Sequence, residues 1–225
     1  MPRLTLLAVV LSVSRLAAPL ACACALLCPT IVAADSSEAL TERYIASTFR
    51  AMADAAIDAS SDDDAAAALG TVIRNAMAVD ETARFVLGRD WPTQNPQAGA
   101  RFRQQFLHFA SNALAGALRA HRGVTLQVKG SRLSDGRILV DSALVLRPGL
   151  TLPLTWIVRP EGPKGRRRIE DFVLAGIDAR MMLRNAAAVT LEQRPGDLDA
   201  VAAMFDRLAR KAGAPAATAE SGTSP

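Results

Sequence analysis

The chain has 225 residues, 50% hydrophobic and 21% charged, which excludes a largely disordered or low-complexity protein. Its first 34 residues hold no Asp or Glu and only Arg3 and Arg15, so the remainder carries about +2 of the formal +4, and the alkaline pI of 9.4 is a weak sign of nucleic-acid binding. A foldable portion of about 175 residues supports one substantial core and is short for two domains.

Residues 1–34 read as a basic start at Arg3, an apolar run from Leu4, and a small-residue exit at Val32-Ala33-Ala34 before Asp35. That pattern predicts a cleavable signal peptide and export, rather than a retained anchor, because Arg15, Pro19 and Pro29 interrupt the run. Cys22, Cys24 and Cys28 all lie inside it, so cleavage leaves a chain without thiols or disulfides, stabilised by packing. Leu20-Ala21-Cys22 has the small residue a lipoprotein signal needs but puts Pro19 where Leu is wanted.

From Ser36 or Ser37 to about Ala59, Leu40, Tyr44, Phe49, Met52, Ala56 and Ile57 recur near helical spacing. Ser60 to Asp64 is an acidic turn predicted to cap a second helix through Met77, its three carboxylates being a solvated cap and not a metal site. Asp80 is expected to cap a short helix ended by Gly88. After Trp91-Pro92, residues 97–120 form the strongest periodic segment, with Phe102, Phe106, Phe109, Ala113, Leu114, Ala117 and Leu118 on one stripe. Past Gly123 the period changes to two: Val124 to Val128, a turn at Ser134-Asp135-Gly136, then Ile138 to Leu146, Leu150 to Val158, and Arg166 to about Ala175. A helical segment from Asp178 to Leu191 and a last helix from Asp197 to about Lys211 follow, before a tail of small and polar residues expected to be disordered.

These elements predict one α+β domain over residues 35–211, between the 1–34 signal peptide and the 212–225 tail: a curved, mainly antiparallel four-stranded sheet covered by N- and C-terminal helices. The strand 138–146 is apolar on both faces, which permits either helices alone or a bound apolar ligand as its second cover.

The catalytic inventory is thin. His108 and His121 read as ordinary residues of the long helix, and there is no metal-ligand spacing, no phosphate-cradling glycine motif and no Gly-x-Ser-x-Gly elbow. An enzyme would need isolated acids, with Glu170 or Asp171 turned into an apolar cavity, although one of any adjacent strand pair usually faces solvent and a salt bridge to Arg166, Arg167 or Arg168 is the simpler expectation. Lys164 with Arg166-Arg167-Arg168 is the one dense basic cluster, suited to anionic lipid headgroups or to a solvated loop. Without interleaved aromatics it does not suggest nucleic acid.

Several segments together resemble the MlaC family: Asp80 to Trp91, Arg101-Phe102-Arg103-Gln104-Gln105-Phe106, Arg168 to Ile177, and Arg184 further on. The family's Leu-Gly-x-x-Trp turn corresponds to Leu87, Gly88 and Trp91, and its Asp and Gly on the last strand to Asp171 and Gly176. Arg168 stands where the family usually has Trp, and Met182-Leu183-Arg184 where it often has Asn-Tyr-Arg, departures that bear on headgroup contacts and on subfamily, a hopanoid-associated branch included.

The resemblance implies a monomeric periplasmic carrier, without cofactor, metal or catalysis, that holds phospholipid or hopanoid-type lipid between sheet and helices. It implies transfer between outer and inner membranes, with an outer-membrane lipoprotein complex and an inner-membrane ABC transporter with a membrane-anchored substrate-binding subunit as partners. A diacyl lipid buries about 25 to 30 methylenes, at about 0.8 kcal/mol each, so a carrier needs a large apolar lining. The expected lining is Phe102, Phe106, Phe109, Val140, Leu144, Leu152, Leu154, Trp156, Val173, Met181 and Met182, with Lys164, Arg166, Arg167, Arg168 and Arg184 as headgroup or docking rim. The rivals are a small-molecule enzyme on a similar cone-shaped fold using Asp171 or His108 as base, and a membrane-complex adaptor with a solid core and no ligand.

Overall fold

A computed structural model describes residues 36–161 and 166–212. The predicted signal peptide, Lys164 and nearly all of the predicted tail lie outside the described residues. The helices begin where short polar side chains satisfy free amides. Ser36 Oγ accepts from Ala39 N–H to start α1 (Ser37–Ile57), and Ser61 Oγ accepts from Asp64 N–H to start α2 (Asp62–Ala76). Asp64 in turn accepts from the Ser60 and Ser61 hydroxyls, which hold its carboxyl below the usual range. Helix α3 (Val79–Leu87) departs from expectation: Asp80 lies in its first turn and caps nothing. The chain is fixed there by the sheet, through Ala78 N–H donating to Ile169 O at 2.8 Å, and Asp80 pairs with Arg103. A single 3-10 turn over Gly88–Asp90 leads to α4 (Pro96–Ala120), which has Pro at its start and Asn95 Oδ1 accepting from Ala98 N–H.

Strands β1 (Thr125–Ser134), β2 (Arg137–Arg147), β3 (Leu150–Glu161) and β4 (Arg166–Leu174) form an antiparallel meander. The β1–β2 turn places Asp135 and Gly136 at φ +49° and +72°, the positive pair a tight hairpin turn needs. A fifth strand, β5 (Ile177–Asp178), was not expected from the sequence: Ala175 and Gly176 turn with φ +50° and +84°, so Ile177 and Asp178 pair back on Leu174 and Val173. Asp178 then caps α5 (Ala179–Gln193), and α6 (Leu198–Ala212) completes the domain.

Two apolar cores result. One joins Ile45, Phe49 and Met52 of α1 and Leu69 and Ile73 of α2 to Ile138, Val140, Leu154, Trp156, Val158 and Ile169 of the sheet. The other joins α3, α4, α5 and α6 around Phe205, whose ring lies 4.7 Å from Phe109 and 5.8 Å from Phe106. A β-bulge in β4 bears on the site. Ile157 pairs with Asp171 but Val158 with Ile169, so Glu170 is an extra residue without a partner on β3.

Candidate functional site: an apolar cavity beneath the sheet

Ala110, Ala113 and Ala117 of α4 border an apolar space together with residues of the strands, and their short side chains leave it unfilled. The space left is a cavity of about 450 Å³, within the range of small-molecule sites and about three times an engineered apolar void of about 150 Å³ that binds benzene. Its wall is formed by Phe49 and Met52 of α1, Ile73 of α2, Val79 and Thr82 of α3, Phe106, Phe109, Leu114 and Leu118 of α4, Leu144, Leu146, Leu152, Leu154, Trp156, Phe172 and Leu174 of the strands, and Met182 and Leu183 of α5. Met182 and His121 line the cavity and are also exposed, so it reaches solvent at α5 and at the end of α4.

The polar groups in this wall are mostly committed to the protein. Trp156 Nε1 donates to Ser142 Oγ at 3.2 Å, and that hydroxyl donates to Leu154 O at 2.7 Å. Thr82 Oγ1 donates to Glu170 O. Glu170 and Asp171 are both buried, contrary to the expectation that one would face solvent, because the bulge breaks the alternation between them. The partners of Glu170 are Arg137 at 2.6 Å and Arg159 at 2.7 Å, not the 166–168 cluster. Asp171 Oδ1 accepts from the N–H groups of Phe172 and Arg180, at 2.7 and 3.2 Å, and so fastens the start of α5 to the sheet. Burial pushes the Asp171 carboxyl up to about 6, and the neighbouring Asp178 carboxyl pushes the same way against those two amides. His108 is exposed on α4 and makes no contact with the cavity.

Of the residues expected to line a lipid site, Phe106, Phe109, Leu144, Leu152, Leu154, Trp156 and Met182 border the cavity. Phe102, Val140, Val173 and Met181 do not. Phe102 turns into the second core, 6.3 Å from the ring of Phe205. Val140 is fully buried in the first core. Val173 alternates with Phe172 and Leu174, so its side chain points to the opposite face of the sheet. Met181, one position from Met182 on a helix, borders instead a second pocket of about 340 Å³ on that opposite face, together with Phe85, Arg137, Leu139 and Ile157.

The expected basic rim is distributed differently. Arg166 is exposed. Arg167 Nε donates to Thr41 Oγ1 at 2.9 Å, tying β4 to α1. Arg168 donates to the carbonyls of Arg74 and Met77, closing the C-terminal end of α2. Arg184 donates to Phe85 O at 2.7 Å.

A family profile described as MlaC protein matches residues 42–207. The chain belongs to the MlaC family. Among solved structures it is similar to a phospholipid-binding protein from Ralstonia solanacearum determined in complex with a phospholipid, with a TM-score of 0.60 and 17% identity, covering 77% of this chain and 98% of that one. At that identity the likeness shows the fold. No curated protein matches the chain.

In this MlaC-family chain the motif residues acquire physical reasons. Gly88 sits at φ +55°, and a Cβ there would meet the Arg184 guanidinium at 2.7 Å, so Gly88 and Arg184 are two halves of one close contact. Trp91 lies against Gly99 on α4, where a Cβ would come within 3.0 Å of its ring, and the Arg84 and Arg103 guanidinium groups stand over it. Sequence reading missed Arg180, which lines the cavity. Its signal was a lone cation in the otherwise apolar run Ala179 to Leu183.

Proposed function

We propose that this chain is an exported, periplasmic lipid carrier and not an enzyme. It binds the acyl chains of a phospholipid or a related membrane lipid in the cavity beneath α4 and moves them between outer and inner membranes for an ABC-type transport system. Its docking partners are an outer-membrane lipoprotein complex and an inner-membrane transporter with a membrane-anchored substrate-binding subunit. The observation that carries this reading is the cavity of about 450 Å³, lined mainly by Phe, Leu, Ile, Val, Met and Ala, that the protein's own side chains leave unfilled. Apolar surface of this extent left without packed neighbours is costly, because the lining atoms lose dispersion contacts and face water. A fold retains that much unfilled apolar space where an apolar ligand occupies it. Membership of the MlaC family and the phospholipid held by the similar Ralstonia solanacearum protein support the same cargo. The residues a base mechanism would use do not favour catalysis: Asp171 Oδ1 accepts from two backbone amides and holds the start of α5, and His108 lies away from the cavity.

Native mass spectrometry of the protein purified from its periplasm, followed by solvent extraction, tests the reading. Phospholipid or hopanoid near one per chain is the expected result and names the cargo. A folded protein that carries no lipid and takes none up from vesicles would overturn it.

A further inference from the structure

The apolar cavity and the polar pocket on the opposite face of the sheet share three lining residues, Glu170, Asp171 and Arg180, which form the wall between them. Glu170 is clamped by Arg137 and Arg159, and Asp171 by two backbone amides. The Arg180 side chain has no such partner. Its guanidinium lies over the Phe85 ring, 4.2 Å from the centroid, and its Nε is the one buried side-chain polar atom among the described residues without a hydrogen bond.

A guanidinium has five donors and no acceptor, and a buried donor on a charged group is costly to leave unmade. The other half-buried arginines have all found acceptors: Arg103 pairs with Asp80, Arg119 with Asp62 and the carbonyls of Ala56 and Ala59, and Arg167, Arg168 and Arg184 with the oxygens described above. Arg180 is also the one arginine or lysine among the described residues of the cavity wall. The backbone of Arg180 is fixed by its own N–H to Asp171 and by the Asp178 cap one turn away, so the guanidinium is pre-positioned.

We propose that Arg180 binds the phosphodiester of the carried lipid, with the acyl chains along α4 and the phosphate at the Glu170–Asp171–Arg180 wall. This rests on the lipid-carrier reading and goes beyond it by naming the polar contact. A planar guanidinium fork matches two phosphate oxygens, and the cation–π contact with Phe85 restrains its position. The carboxylates of Asp135, Glu170, Asp171 and Asp178 border the same polar pocket, as does Arg137, which is already paired with Glu170. These carboxylates repel a dianionic phosphate more than a singly charged phosphodiester, and they are complementary to an ammonium on the headgroup.

The test uses the full chain stripped of lipid and titrated with phosphatidylethanolamine and with diacylglycerol of the same acyl chains, occupancy being read by native mass spectrometry. Arg180→Gln is expected to lose phosphatidylethanolamine affinity by about tenfold or more while still taking up diacylglycerol, and Arg180→Lys to recover part of the loss. Should Arg180→Gln fail to fold by circular dichroism, the comparison of Arg180→Lys with the unaltered chain carries the test, with a smaller loss of the same selectivity. Equal phosphatidylethanolamine affinity across the three proteins, with diacylglycerol bound by all, would overturn the role of Arg180 and leave the carrier reading standing. Uptake of neither lipid by the unaltered chain would overturn both. Inorganic phosphate that protects the unaltered chain against thermal unfolding, but not Arg180→Gln, and competes with phosphatidylethanolamine would assign the site to free phosphate instead.

Discussion

Replacing Ala113 by Leu separates a cavity that holds a ligand from a core that is simply packed. Ala113 borders the cavity with Ala110 and Ala117 of α4, and the strands contribute Leu144, Leu152 and Trp156 to the same lining. The substitution adds three carbons and leaves helix propensity nearly unchanged, so the effect comes from the space they enter. If that space is unfilled in the lipid-free protein, three buried carbons at about 0.8 kcal/mol each stabilise it by up to about 2.4 kcal/mol. For a chain of this size that corresponds to a melting temperature higher by about 5–10 °C. The same carbons displace part of an acyl chain, so lipid affinity falls by up to about 50-fold, the same free energy at 1.4 kcal/mol per decade. The signature is a pair of opposite signs, a more stable lipid-free protein that holds less lipid, read by thermal melts of stripped protein and by lipid occupancy in native mass spectrometry. In a solidly packed core the substitution overpacks and destabilises by about 1–3 kcal/mol. A lower melting temperature with unchanged lipid content would refute the cavity reading.

Phe205→Ala removes the ring at the centre of the second core and is expected to destabilise by about 3–5 kcal/mol in urea unfolding. A loss under 1 kcal/mol would mean that this cluster is not close-packed. Asp171 contributes most to stability below the ordinary carboxyl pKa, and that contribution is lost as pH rises through about 6, because its folded-state value is raised. Asp171→Asn keeps the acceptor for Phe172 and Arg180 but does not titrate, so its melting temperature relative to the unaltered chain should climb between pH 4 and 7. A difference flat across that window would remove burial as the cause of the shift. Arg168→Ala frees the last carbonyls of α2 and should lower stability by about 1–2 kcal/mol, whereas Arg166→Ala at an exposed position should change it by less than about 0.5 kcal/mol. Equal effects would show that the cluster acts through charge alone.

Much of the fold was legible locally. The 3.6-residue stripe of α4, the period-two strands, the Asp135-Gly136 turn, and the caps at Ser36 and Ser61 each depend on residues within a turn or two of one another. Two local expectations gave way to tertiary contacts. Asp80 resembles a cap, but a backbone bond from Ala78 to the sheet sets the start of α3 instead. Ile177-Asp178 is too short to announce a strand and pairs because the turn at Ala175-Gly176 brings it back on β4.

The amino-acid sequence alone determined that this is an α+β domain with a Phe-rich helix over an antiparallel sheet, and it displayed the motif residues of the MlaC family, because periodicity, caps and tight turns are short-range properties. Only the tertiary structure decided which face each apolar residue serves. Phe102 and Phe106 are four residues apart on one stripe, yet one fills the second core against Phe205 and the other also borders the cavity, since the elements packed on a helix change along its length. The bulge that buries both Glu170 and Asp171 is a pairing between strands and leaves no periodic trace. Nor does composition distinguish the arginines that close helix ends and tie strands, Arg167, Arg168 and Arg184, from Arg180, whose buried Nε finds no acceptor among the described residues. Whether a charged side chain is satisfied depends on atoms far away in sequence, and that long-range accounting exists only once the chain has folded.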